Sequence, residues 1–168
     1  MGRILLSPHA DDECLFAAYT LIRYKPCVVV CTDYDGNRGT TSEQRRNESI
    51  AACGFLGCPV VFLGIPESKF CYESLVGRLG GLVSDVFWTP ASQGGHPHHD
   101  IVARIPSLFK YATYTRHNLS PSGDIEIRPT EKEIWQKKNA LSYYKTQLEL
   151  NIEHFEAVEE RSEFYISR

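Results

Sequence analysis

Ile4-Leu5-Leu6-Ser7-Pro8-His9-Ala10-Asp11-Asp12-Glu13 is the stretch on which the reading of this chain turns. An apolar run of strand length ends at Ser7-Pro8, and three consecutive carboxylates then open a helix-length segment. Acidic side chains at a helix start are favoured by the helix dipole, which accounts cheaply for Asp11, Asp12 and Glu13. It does not account for His9. An imidazole with a carboxylate three residues on is a pair of the kind that binds zinc and similar divalent ions. The carboxylate between them is more than coordination needs and reads as a base. Far along the chain, His96-Pro97-His98-His99 supplies three more imidazoles in one short block.

Outward from this stretch, apolar runs of strand length recur at residues 3–7, 27–32, 59–63, 85–89 and, more weakly, 111–115. Helix-length segments lie between them at residues 11–24, 43–56, 72–84 and 97–108. The runs are continuously apolar, as in Val28-Val29-Val30 and Val60-Val61-Phe62, which is expected of strands covered on both faces. The alternation predicts an α/β fold: a single doubly wound, mostly parallel, Rossmann-like sheet with a C-terminal helical segment, one domain over residues 1–168. Such sheets bind ligands beyond the carboxyl ends of the strands where the strand order reverses. If the order begins 3-2-1-4, strands 1 and 4 are neighbours at that point. The two histidine blocks, one following each of these strands, then meet in one crevice.

Smaller signals fill in the rest. Thr41 with Gln44, and Thr130 with Glu133, read as capping boxes. Residues 130–160 read as one long amphipathic helix or two, with Ile134, Leu141, Tyr144 and Leu148 on one stripe. Ile125–Ile127 reads as a short strand, and residues 163–168 as an added edge strand. The glycine-rich loop at 34–41 suits a mobile wall. Gly94-Gly95 lets the backbone approach closely just before His96.

Composition bounds the function. With 168 residues, 42% of them apolar, there is room for one real core, and a net charge of −3 gives no electrostatic case for a nucleic-acid partner. No apolar run approaches the roughly 20 residues of a membrane span, and no secretory pattern is visible, so the expectation is a cytoplasmic protein. Cysteines 14, 27, 31, 53, 58 and 71 show no Cys-x-x-Cys spacing and are expected to be reduced, buried, small hydrophobes. A nucleotide-binding reading lacks the Gly-x-Gly-x-x-Gly that should follow strand 1.

Pro8 to Glu13 resembles the P-H-x-D-D-E signature of the LmbE-like de-N-acetylases, the superfamily of N-acetylglucosaminyl-phosphatidylinositol deacetylase and the mycothiol-pathway deacetylase. His96 to His99 resembles the second block of that family, usually His-Pro-Asp-His. Arg45-x-x-Glu48 with Ala51-Ala52 and Leu56-Gly57, then Phe62-Leu63-Gly64, then Lys138, Ala140-Leu141 and Gln147 fall in family order.

The resemblance implies a zinc-dependent amide hydrolase that removes an acetyl or other short acyl group from a small N-acylated amine, by default an N-acetylglucosaminyl-type substrate. It implies His9, Asp12 and His99 as metal ligands and Asp11 as general base. His96 would stabilise the oxyanion and protonate the departing amine, and Glu13 would be structural. Ligand type alone leaves iron(II) and cobalt(II) open beside zinc.

Two positions depart from the pattern. The aspartate usual at position 98 orients the first histidine of the block and raises its pKa; His98 can orient His96 but cannot favour its imidazolium in the same way. Pro66-Glu67-Ser68 stands where Pro-Asp-Gly is usual, which makes Glu67 a candidate substrate contact with a longer arm. Arg45 is a candidate substrate or loop-anchoring contact. His98 also motivates a second reading, a metal-binding module without catalysis. The oligomeric state stays open, a homo-oligomer included.

Overall fold

Alternation along β1 (Ile4–Ser7) sends Ile4 and Leu6 to one face of the sheet and Leu5 to the other. Each face then builds its own core. Leu5, Val28, Val30 and Trp88 pack under α1 (Asp12–Tyr24), α2 (Ser42–Leu56) and the C-terminal helices. Ile4, Leu6, Val29 and Cys31 pack with Leu75, Leu79, Val102 and Ile105 on the opposite side. The architecture comes from a computed structural model that describes residues 2–36 and 39–167, so Asn37 and Arg38 of the glycine-rich loop lie outside the described residues.

The sheet has seven strands in the order β3-β2-β1-β4-β5-β7-β6. β1, β2 (Cys27–Asp33), β3 (Val60–Pro66), β4 (Val86–Pro90) and β5 (Phe109–Tyr111) run parallel. β6 (Ile125–Ile127) and β7 (Glu163–Ile166) complete it, with β7 antiparallel to both its neighbours. The α/β, doubly wound, mostly parallel sheet beginning 3-2-1-4 is therefore what the chain forms, and β1 and β4 are neighbours at the point of reversal.

Several boundaries differ from the sequence expectation. The weak run at 111–115 is mostly not strand. β5 ends at Tyr111, and the chain then turns off the sheet, where Gln93 accepts the Thr113 amide and the Tyr114 carbonyl packs against Gly95. α3 (Tyr72–Leu79) stops where Gly80 takes a φ of 51°, and residues 80–85 continue as 3-10 turns. α4 (Pro97–Val102) stops well short of Leu108, because Pro106 cannot continue a helix. β7 is not an edge strand; it lies inside, and β6 is the edge. β3 forms the other edge, and Val61 is 48% exposed, so its apolar run is not covered on both faces.

α5 (Glu131–Leu141) and α6 (Lys145–Val158) are separate helices, and Tyr144 sits buried at their joint rather than on a continuous stripe. Both expected capping boxes form. Among the described residues all six cysteines are free; Cys71 is exposed ahead of α3, contrary to its expected burial. No described helix is long and apolar enough to cross a membrane.

α1 carries an irregularity of its own. At Ala17 the backbone leaves helical geometry (φ −137°). The Tyr19 amide, whose helical partner would be the Leu15 carbonyl, donates instead to the Glu163 carboxylate. The ammonium of Lys137 donates to the abandoned Leu15 carbonyl and pairs with Glu163 at 3.3 Å. A buried ion pair from α5 and β7 thus fills a gap in the helix ladder.

Candidate active site

The turn after β1 is fixed from several sides. Thr32 on β2 donates its amide and hydroxyl to the Pro8 carbonyl, and the Ser7 hydroxyl lies within hydrogen-bonding distance of both the His9 carbonyl and a Glu13 carboxylate oxygen. Asp11 stands at the N-terminus of α1 with a φ of 153°, a region that L side chains rarely adopt. Its amide donates to Glu13. The Glu13 carboxylate, fully buried, also accepts from Ser49 on α2 and from the Tyr144 hydroxyl at the α5–α6 joint. Glu13 therefore joins three helices to the turn that carries His9 and Asp11.

One oxygen of Asp12 is the meeting point of the first block with the second. Asp12 Oδ2 lies 2.9 Å from His9 Nδ1 and 3.0 Å from His99 Nε2, and it accepts the His9 amide at 3.0 Å. His99 is buried, and its other ring nitrogen meets the Thr113 hydroxyl at 3.3 Å. A second partner of this kind holds a ligating imidazole in orientation. Two imidazoles converging on a carboxylate fit the three-ligand set of an open, tetrahedral zinc site. Burial opposes the charge on Asp12, but His99 and His9 outweigh it and hold the carboxyl well below the usual range.

His96 precedes Pro97 at the N-terminus of α4, and its Nδ1 accepts the His98 amide at 3.2 Å. That bond leaves the ring proton of a neutral His96 on Nε2. Close approach is essential just before it, since a Cβ on Gly95 would fall 2.1 Å from the Tyr114 carbonyl oxygen. The ring of His98 does not hydrogen-bond His96. Its Nδ1 lies 2.9 Å from His9 Nε2, with Phe70 packed edge-on against it. Burial, then His99, lowers the pKa of His96; burial, then His96, brings His98 down to about 4; and burial brings His9 down to about 3.

These groups border a cavity of about 420 Å³ lined by His9, Asp11, Asp12, Arg45, Glu67 and His96, among others. The Arg45 guanidinium sits between two carboxylates, 3.3 Å from Asp11 Oδ2 and 3.5 Å from Glu67 Oε1, and also donates to the Ala10 carbonyl. Burial pushes the Asp11 pKa well up, with Arg45 opposing and Asp12 and Glu13 adding to the rise. All eight residues singled out from the sequence, His98 included, lie in or against this one region.

The far wall was not foreseen. It is formed by Tyr114 and by Gln147, Leu150, Asn151 and His154 of α6. Their spacing of i, i+3, i+4, i+7 is itself a helix face. That mostly polar stripe was the available signal, beside the apolar one that the sequence reading followed.

The pattern of the PIG-L family, described as GlcNAc-PI de-N-acetylase, matches residues 4–108, more than half of the chain and both histidine blocks. The chain belongs to the PIG-L family. This PIG-L chain has no match among curated protein sequences. Its fold is similar to that of the conserved protein TT1542 from Thermus thermophilus, with a TM-score of 0.69 and 20% identity over 99% of this chain and 94% of that one. The N,N'-diacetylchitobiose deacetylase from Pyrococcus horikoshii gives 0.68 and 15% over 91% and 72%. The 4-carboxy-2-hydroxymuconate hydratase GalB from Pseudomonas putida KT2440 gives 0.63 and 15% over 97% and 94%. At such identities the likeness shows the fold alone, and a hydratase among these structures makes the point that one fold hosts more than one chemistry.

Proposed function

We propose that this PIG-L chain is a metal-dependent N-deacetylase, hydrolysing the amide of a small N-acylated amine, an N-acetylglucosaminyl-type substrate by default. One observation carries the reading: a His9–Asp12–His99 cluster, a buried carboxyl at Asp11 and an imidazole at His96 border a single cavity. A zinc ion on His9, Asp12 and His99 would supply Lewis acidity and lower the pKa of water; iron(II) or cobalt(II) would serve in the same ligand set.

The protein's own groups do the remaining work. Asp11 takes a proton from the attacking water; its raised pKa brings it closer to the range in which a carboxylate is an effective base. His96, with its proton on Nε2, donates to the developing oxyanion and then to the departing amine, which leaves poorly unless protonated. His98 positions His9 and the start of α4 rather than the His96 ring. Arg45 orients Asp11 and Glu67, and Glu67 meets the hydroxyls of the acylated sugar.

His98 also favours a second reading, a metal-binding module without turnover, because the aspartate that would sustain an imidazolium at His96 is missing. Asp11→Asn separates the two. In an enzyme it lowers amine release from N-acetylated amino sugars by a factor of about 10² to 10⁴, with metal content by elemental analysis unchanged. Wild-type protein with stoichiometric metal and no amine release from any amide would leave the module, and protein that takes up no metal would defeat both readings.

A further inference from the structure

The cluster at the mouth of the cavity holds more ligands than one ion uses. We infer that the chain binds a second transition-metal ion on His9, His96 and His98, beside the His9–Asp12–His99 set. The two nitrogens of His9 face different partners: Nδ1 is 2.9 Å from Asp12 Oδ2, and Nε2 is 2.9 Å from His98 Nδ1. In each trio, one ligand atom per residue lies within 4.8 Å of the other two. A tetrahedral ion with bonds of about 2.0–2.1 Å holds its donors roughly 3.3 Å apart. The His9–His98 pair need open by only a few tenths of an ångström to receive one.

The ring orientations suit this use. His96 spends Nδ1 on the His98 amide, which leaves Nε2 for an ion. Phe70 stands edge-on against the His98 ring at 5.1 Å between centroids, and the His9 and His96 rings meet at 4.7 Å. All three histidines are half-buried, whereas Asp12 and His99 are buried, so this trio opens toward solvent and an ion can reach it without passing the inner set. Three imidazoles with no carboxylate suit zinc, copper(II) and nickel(II), and do not suit magnesium or calcium.

With both sets loaded, His9 bridges the ions as an imidazolate. Its last ring proton is released as the second ion binds, so uptake of that ion strengthens as pH rises. The inference shares His9 with the proposed catalytic site but does not need turnover to be tested.

The test is equilibrium dialysis of metal-free protein against Zn2+, with elemental analysis of the retained metal. Wild type is expected to hold two equivalents. His98→Ala, and His98→Asn as a second variant should alanine disturb the fold, are expected to hold one, with the other weakened more than about tenfold, since even the loss of an outer partner costs a metal site that much. His99→Gln is expected to keep the outer ion, and Cu2+ bound to it should show an electron paramagnetic resonance spectrum of nitrogen ligation. One equivalent in wild type overturns the second site and leaves the deacetylase reading intact. No metal at all overturns both. Two equivalents in wild type and in both His98 variants place the second ion elsewhere and overturn this inference.

Discussion

Glu13 is the residue on which the geometry of Asp11 rests. A φ of 153° at a non-glycine residue costs on the order of 1–3 kcal/mol, and such a conformation persists only where its surroundings impose it. The Glu13 carboxylate does so by accepting the Asp11 amide while Ser7, Ser49 and Tyr144 hold the carboxylate itself. Glu13→Gln places an amide donor among these donors. It should cost on the order of 2 kcal/mol in urea denaturation and depress the rate of amine release while leaving the metal content unchanged. Full stability in that variant would mean that Glu13 does not brace the turn. At this scale the sequence revealed ligand types and spacing, so the convergence of His9, Asp12 and His99 was legible once strands 1 and 4 were neighbours. What His98 touches was not legible, because residue type does not say which of three nearby rings an imidazole turns toward.

Elements were legible where one physical signal dominated. The first four strands and both capping boxes follow from apolar runs and local side-chain bonding. The end of β5 was set instead by a tertiary contact, the approach of Gly95 to Tyr114, which no local pattern records. Lys137 is the sharpest case. A lysine on an amphipathic helix reads as surface, yet this one is fully buried and completes the ladder of α1 together with Glu163. Lys137→Met strands both the Leu15 carbonyl and a buried carboxylate, and should destabilise the fold by about 3–5 kcal/mol. The double variant with Glu163→Gln should lose less than the sum of the two single losses, as a denaturant-based double-mutant cycle would measure. Strict additivity would show that the two side chains do not act as a pair.

Across the whole molecule, the concentration of histidines at the sheet's point of reversal has a thermodynamic consequence. His9 and His98 are held near 3 and 4, and burial also lowers His96 and His154. Below their usual value of about 6.5, the unfolded chain takes up protons that the folded one refuses. Metal-free protein therefore has this stability in full above about pH 6.5 and loses it as pH falls toward 4. Asp11 works in the opposite sense, since its raised pKa lets the folded state bind a proton first. Thermal melts in chelator at about pH 7.5 and about pH 5 should show a smaller acid-side loss for His98→Asn than for wild type; equal losses would exclude His98 as a contributor. The filled gap in α1 sets an order in time. A chain emerging from the ribosome presents both histidine blocks by residue 99, but the carboxylate that accepts the Tyr19 amide arrives only with residue 163. The helix that carries Asp12 is thus completed among the last events of synthesis, and the cavity matures only when β7 has entered the sheet.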